Sequence, residues 1–406
     1  MKKFLDQPIV TISKESYLTL IVIVMPVLNF LSGINIDIYA PSMPSIATYF
    51  NVSILVMKNT ITATILGWAF GAIVFGALID AIGRKKTLFY GMFLYMLASG
   101  FALYCQNIDQ LMLIRFLQGF TVVSVTVGCR ALILDNFTGH HYNIAIIYTF
   151  IGFGMGHVFG PFIGGVLQYY FGWKANFAAL FILTLFLTLM LIFFVKESIP
   201  ERQSLNLKDI GGRYLTVLRH KKIIAGVIIL GLTQIQMLLY PTIGPFIVEG
   251  FLHYNALVYG NTALIVGGGY LAGNLINRGL LKYISLKKSC YAAYIILLLA
   301  VALSYLFTLF SSLNLVTLLV PMILINISSG LIFSNVMASN LKQFPSSAGI
   351  TMAIQISLLA VVTTIGIFIA NDISITSLLS LSIIYSILAG LTLLIFFGSY
   401  RKLVMD

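Results

Sequence analysis

The chain has 406 residues, of which 59% are hydrophobic and only 9% charged. Soluble globular domains carry about a quarter charged residues, so a water-soluble globule is excluded and an integral membrane protein is expected. The net charge of +12 is not a nucleic-acid footprint, because the cations sit between apolar runs and form no single patch.

The apolar residues fall into twelve runs, each about 20 residues long and able to cross a ~30 Å hydrocarbon core as a helix. Charge clusters, prolines and polar turns place the first six at 17–39, 58–79, 87–104, 110–131, 143–167 and 175–195. The second six fall at 223–248, 258–279, 288–310, 313–337, 346–370 and 374–398. The expected fold is therefore an all-α membrane protein of twelve transmembrane helices. Residues 1–195 form one six-helix bundle and 223–406 a second. Residues 196–222, which hold Pro200, Gly211-Gly212 and the densest basic charge, form a linker between them. Lys-Arg bias orients membrane helices. With both termini cytoplasmic, twenty of the twenty-four cations fall inside, leaving Lys58 and Lys174 outside and Arg115 and Arg130 within a span. Asp6, Pro8 and Glu15 interrupt the N-terminal segment, and no small-residue cleavage site follows it, so the first run is expected to be retained. Cys105, Cys129 and Cys290 are scattered and odd in number, which suits packing better than disulfides or a metal site.

Asp37 closes the first run within Gly33-Ile-Asn-Ile-Asp37-Ile-Tyr39-Ala-Pro41-Ser-Met-Pro44. A carboxylate in hydrocarbon costs about 2.5–3.5 kcal/mol on insertion scales and marks an ion path, a proton relay or a paired charge. After the second run comes Gly76-Ala-Leu-Ile-Asp80-Ala-Ile-Gly83-Arg84-Lys85-Lys86. Gly76 permits close helix approach, Gly83 a tight turn, and Asp80 sits where it can cap or pair. Gly273 and Asn277 repeat the Gly76 and Asp80 spacing before Arg278 and Lys282, a weak internal repeat that supports two related halves. The fourth run opens Leu111-Met-Leu-Ile-Arg115-Phe-Leu-Gln118-Gly119. A buried guanidinium cannot shed its proton and needs a partner. Asp37 and Arg115 fall at similar depth, so they are expected to pair and to hold Asp37 ionised until the pair is broken. A permanent structural bridge is the alternative. Arg130 and Asp135 are five residues apart, beyond the usual helical pairing distance, and Arg130 either lines a cavity or snorkels.

In the fifth run Gly152, Gly156, Gly160 and Gly164 recur every four residues, with Pro161 and Gly165 added. Such a face packs backbone to backbone. His157 within it reads as a packed polar residue rather than a proton carrier. Polar or aromatic residues in apolar runs are candidate substrate contacts or interhelical hydrogen bonds: Gln234, Gln236, Tyr240, Asn274, Asn326, Asn335 and Gln355. Pro241 and Pro245 should kink the seventh helix beside the first three.

These stretches resemble the major facilitator superfamily. The loop at residues 76–86 looks like its G-x-L-x-D-R-x-G-R-[RK] motif, with Ala81 at the first basic position; Leu111–Gly119 resembles L-x-x-x-R-x-x-Q-G, and Gly156–Gly165 the antiporter motif G-x-x-x-G-P-x-x-G-G. The resemblance implies gating for Gly76, Asp80, Gly83 and Arg84, proton coupling for Arg115, and antiport for the helix bearing Gly156, Gly160, Pro161 and Gly164. Asp37-Ile-Tyr39-Ala-Pro41-Ser-Met-Pro44, Lys196-Glu-Ser-Ile-Pro200-Glu-Arg and Phe344-Pro-Ser-Ser-Ala-Gly349 are similar to segments of bicyclomycin- and chloramphenicol-resistance drug:proton antiporters.

No nucleotide loop, H-E-x-x-H or nucleophile elbow is present in the sequence. A non-enzymatic transporter driven by a proton gradient, with no cofactor, is expected. The resemblance implies a monomer in a bacterial inner membrane that exports small amphipathic compounds by alternating access. Tyr39 and Arg130 join the candidate substrate contacts. Arg115 and Arg130 leave open an anionic metabolite or carboxylate siderophore as cargo. A non-transporting membrane sensor is a third reading.

Overall fold

The computed structural model describes residues 13–198, 219–310, 312–341, 348–372 and 377–405. Twelve long helices cover most of them: α1 Lys14–Asp37, α2 Ile54–Ile82, α3 Arg84–Ala102, α4 Ile108–Asn136, α5 Gly139–Phe171 and α6 Lys174–Phe194 form the first half. The second half comprises α7 Lys221–Pro245, α8 Ala256–Leu280, α9 Leu286–Phe310, α10 Leu315–Leu341, α11 Ala348–Asp372 and α12 Leu378–Ile395. Most of the expected linker, and the motif beginning at Phe344 up to residue 347, lie outside the described residues.

Local chemistry sets the helix starts. Ser53, Asn107, Asn255 and Ser377 sit in extended backbone, and each accepts a hydrogen bond from the amide three residues on. These side chains satisfy donors that a helix start leaves unpaired. The four caps mark one end of the bundle, here called the far end. The opposite, basic end carries Arg84 and Lys196, and there the Lys196 amide donates to the Tyr17 hydroxyl at 3.1 Å.

α1 does not stop at the far surface as a plain helix end. A tight turn at Ala40–Ser42 and a short helix, Met43–Phe50, extend it beyond Asp37. α7 runs through Pro241 and Pro245 and widens into a looser turn at Phe246–Phe251, where the Leu252 amide reaches back five residues to the Ile247 carbonyl at 2.9 Å. The helix thus loosens its pitch directly after the second proline.

The halves are built alike. α1 packs on α5 and α2 on α4, as α7 packs on α11 and α8 on α10. Close contacts repeat too: a methyl group at Gly119 would lie 1.9 Å from the Thr64 carbonyl oxygen across α2–α4, and one at Gly273 would lie 2.2 Å from the Ile327 carbonyl oxygen across α8–α10. The halves meet where α5 packs on α8 and α2 on α11. α6 and α9 present large apolar side chains outward, among them Phe186, Leu189, Leu298 and Leu299. In water such a surface would aggregate, whereas in a bilayer it is solvated by lipid tails. Ten of the twelve helices are long and apolar enough on their own to span a membrane. α3, which begins Arg84-Lys85-Lys86, and α8, which is rich in glycine and asparagine, are the more polar two.

Several contacts tie the halves together at the far end. Lys58, only 5% exposed, donates from Nζ to the Asn371 carbonyl at 2.6 Å. The Asn371 amide nitrogen donates to Asn59 at 3.0 Å and Thr62 at 3.1 Å. The short helix Met43–Phe50 packs on the Phe246–Phe251 turn. Lys58, counted from sequence as a loop cation, is instead a buried member of this closure.

Candidate functional site

Asp37 is the last residue of α1 and is 2% exposed. Its surroundings follow from the glycine face of α5. Methyl groups built at Gly152, Gly156 and Gly164 would lie 2.1, 2.5 and 2.0 Å from backbone atoms of α1 or the turn after it, and one at Gly160 would lie 3.0 Å from the Asp37 β-carbon. At Gly152, Gly156 and Gly164 nothing larger than glycine fits without separating the helices. The same approach carries His157 onto α1, where its Nδ1 bonds Oδ2 of Asp37. Phe153 meets the imidazole edge-on with ring centres 4.7 Å apart.

The expected direct pair between Asp37 and Arg115 is corrected here: the partner of Asp37 is His157. Arg115 is fully buried, but its Nη1 donates to the Asn35 carbonyl at 3.2 Å and to Gln118 Oε1 at 2.8 Å. Its guanidinium lies 4.5 Å from the Tyr39 ring centre. Nε and Nη2 have no hydrogen-bond partner among the described residues. Around this cation Gln118 donates to Ser99 at 2.9 Å, Tyr95 to the Asn35 side chain at 2.8 Å, and Tyr39 shares a 2.9 Å bond with Thr60. The Asp37 charge remains within electrostatic reach of Arg115. Arg115 is therefore a neighbouring cation rather than a bonded partner. His157, read from sequence as a packed polar residue, is packed here with its ring bonded to Asp37.

At the basic end Gly83 adopts φ +117°, a conformation that favours glycine, and turns the chain from α2 into α3. That turn lets the Arg84 amide donate to Glu197 Oε1 at 2.7 Å. The Arg84 side chain bonds Asp80 and the Ile79 carbonyl, and its Nε reaches Asp135 Oδ2 at 3.1 Å. Asp135 also accepts from Ser198. One network thus joins α2, α3, α4 and the segment after α6. Gly76 lies half-buried one turn before Asp80 on α2. Arg130 stands apart from this network. Its guanidinium covers the Phe150 ring at 4.6 Å, and Nε and Nη1 are buried with no partner among the described residues.

In the second half the structure separates engaged from free polar groups. Asn335 accepts from Asn277 at 2.8 Å and donates to Ser289 at 3.0 Å, and Ser289 donates to Asn277 at 2.6 Å, closing a triangle across α8, α9 and α10. Asn274 accepts from Ser334, and Asn326 donates to the Met322 carbonyl at 2.9 Å on its own helix. The Gln236 amide donates to Thr392 at 3.4 Å. Tyr240 donates to Thr262 at 2.7 Å and stacks on Tyr259 with ring centres 5.7 Å apart. Gln355 is fully buried with both amide atoms unpartnered among the described residues, and Gln234 is half-buried. On α5, Pro161 faces α8, where a methyl group at Gly260 would lie 2.8 Å from its carbonyl oxygen.

Two residues in this region escaped the sequence reading. Glu249 lies in the widened turn after α7, half-buried, with Oε1 sealed and unpartnered among the described residues. Tyr259 of α8 is fully buried with an unpartnered hydroxyl. An acid directly after a Pro-kinked apolar run was the available signal. Among the described residues no His/Cys/Asp/Glu group is arranged to hold a metal, and Cys105, Cys129 and Cys290 are free and buried.

Two related six-helix halves, with buried charge where α1, α4 and α5 meet, define a multi-pass membrane protein of two repeated bundles. The chain belongs to the Major Facilitator Superfamily, whose family model matches residues 27–370. It is 33% identical over 175 residues to the MFS-type transporter YdgK of Bacillus subtilis, covering 43% of this chain and 44% of that one. It is 25% identical over 261 residues to the multidrug transporter MdfA of Shigella boydii, 61% of each chain. Over 205 residues it is 25% identical to the bicyclomycin resistance protein homolog of Haemophilus influenzae, covering 50% of this chain and 52% of the relative. These matches span less than two thirds of the relatives' lengths. The fold is similar to the crystal structure of a D-xylose-proton symporter, with a TM-score of 0.73, 15% identity and coverage of 93% of this chain and 97% of that one. The protein is thus a multi-pass membrane protein of this superfamily, with a multidrug transporter and a bicyclomycin resistance protein homolog among its relatives.

Proposed function

We propose that the protein exports small amphipathic compounds in exchange for protons. The carrying observation is the buried Asp37 carboxylate, bonded to His157 across the glycine-built α1–α5 contact. Asp37 takes a proton in one state of the cycle and yields it in the other. His157 orients the acid and shares its charge, while Arg115 sets the field around it. The basic end faces the cytoplasm of a bacterial inner membrane, with both termini inside, and the working unit is a monomer of two bundles, 1–195 and 223–406, joined by 196–222. The Asp80–Arg84–Asp135 network gates the cytoplasmic end. Gln234 and Gln355 supply contacts to cargo; the engaged Tyr39, Tyr240, Gln236, Asn274, Asn326 and Asn335 shape the wall.

A second reading is supported by Arg130, whose two unpartnered buried N–H groups suit an anionic group of the cargo. Vesicles holding the purified full-length chain separate the two when tetraphenylphosphonium, chloramphenicol and citrate are offered under an imposed pH gradient. Gradient-driven movement of either of the first two, lost in Asp37→Asn, supports drug antiport; movement of citrate alone, lost in Arg130→Gln, supports the anion. Gradient-independent movement overturns the proton-coupled reading.

A further inference from the structure

Glu249 has no role in the account above, and its placement calls for one. It lies near the far end of the second half, in the widened turn that packs against the Met43–Phe50 helix of the first. Its Oε1 is sealed from solvent and receives no hydrogen bond among the described residues. An ionised carboxylate oxygen buried without a donor is far less stable than a neutral carboxyl group. Among the described residues the turn itself holds no other titratable group, Tyr49 is the one titratable residue of the short helix, and the exposed His253 and Tyr254 follow the turn. The Tyr49 ring packs on Phe50 and Trp173. At their far ends α7 and α8 bring only phenols, Tyr240 and Tyr259.

Tyr259 links this acid to the other half. Its fully buried, unpartnered hydroxyl lies within electrostatic reach of both Glu249 and Asp37, and its ring is held against Tyr240 beside Gly244. Asp37 has His157 as its bonded partner and Arg115 nearby. The buried Tyr259 hydroxyl thus stands within electrostatic reach of acids from both halves. Separating the far ends would admit water to Glu249 and remove the reason for it to be neutral.

We propose that Glu249 is a second proton-binding acid of the transport cycle, its carboxylate taking up one proton as the far ends of the two halves close and releasing it when they part. The inference rests on the transport reading only for the existence of a far-side closing step: a proton taken up and released at the far side gates that step and is not itself carried across. In an exporter, the return of the empty carrier closes the far side, so a proton required for that closure makes the return step proton-dependent. Linkage gives the sign: the closed state binds the proton, so closure gains as pH falls. The open-to-closed ratio changes by up to about 10-fold per pH unit for each proton taken up.

The experiment measures the far-end separation in the full-length protein, with spin labels at Phe171→Cys and Phe310→Cys, both exposed far-end positions. The native cysteines are buried. The unsubstituted background should close as pH falls. Glu249→Gln, isosteric and permanently neutral, should be closed at every pH, with its pH slope reduced by about 10-fold per unit; Glu249→Ala should lose the same slope. Asp37→Asn should retain the Glu249 contribution. A pH response in both Glu249 variants equal to that of the background overturns the inference, even if gradient-driven transport through Asp37 stands. If the slope depends on Glu249 while tetraphenylphosphonium and chloramphenicol move without proton exchange, the antiport reading fails and the titrating site remains.

Discussion

Gly156→Ala tests the packing on which the site depends. The added methyl carbon would stand 2.5 Å from both the Ile34 nitrogen and the Phe30 carbonyl oxygen, against an ordinary contact of at least 3.4 Å. Both neighbours are backbone, so no rotamer change relieves the clash, and α1 and α5 must part by close to an ångström. Overpacking of this kind costs about 1–3 kcal/mol. A gap of that size also exceeds the tolerance of a hydrogen bond. The adjacent His157 is drawn away from Asp37, leaving a buried acid without its partner. Gly154→Ala, on the same helix, is the control, because its nearest neighbour is the Leu271 side-chain tip at 3.3 Å. Thermal unfolding of both variants in detergent, with gradient-driven transport in vesicles, is the assay. Gly156→Ala should melt earlier and transport poorly, and Gly154→Ala should match the unsubstituted protein. Equal stability and transport in all three would refute the role assigned to this contact.

Lys58→Met removes the donor to the Asn371 carbonyl, a charge-assisted bond of about 1.5–3 kcal/mol, and should shift the far ends toward separation in spin-label distances; an unchanged distribution would show that the contact does not hold the closure. Asp135→Asn weakens the basic-end network. With Asp135 22% and Asp80 41% exposed, solvent screening limits the stability cost to under about 1 kcal/mol, so turnover should fall while unfolding is nearly unaltered, and full turnover would contradict a gating role. Asn335→Ala opens the triangle with Asn277 and Ser289 and should cost about 1–2 kcal/mol without changing which of tetraphenylphosphonium and chloramphenicol is moved. A changed preference at unchanged stability would make Asn335 a cargo contact.

The twelve helices were legible because each is a long apolar run bounded by charge or by Ser and Asn caps. The repeat of Gly76 and Asp80 in Gly273 and Asn277 marked two related halves. The side-chain partnerships were less accessible. Depth along a helix placed Asp37 and Arg115 together, but only the rotation of α5 about its glycine face decides that His157 meets the acid and that Arg115 turns to Asn35 and Gln118. Glu249 was passed over because the seventh run was ended at residue 248, while α7 continues by loosening its pitch after Pro245. Helix rotation and pitch are properties of the packed assembly, and neither is written in a run of apolar residues.

The central claim, that Asp37 couples cargo to protons, is tested most directly by counting protons. Vesicles containing the full-length protein, loaded with a pH-sensitive dye and offered tetraphenylphosphonium or chloramphenicol, should show proton movement opposite to the compound. Asp37→Asn should exchange the compound across the membrane with no accompanying proton movement. The same number of protons per compound in Asp37→Asn as in the unsubstituted protein would contradict the account.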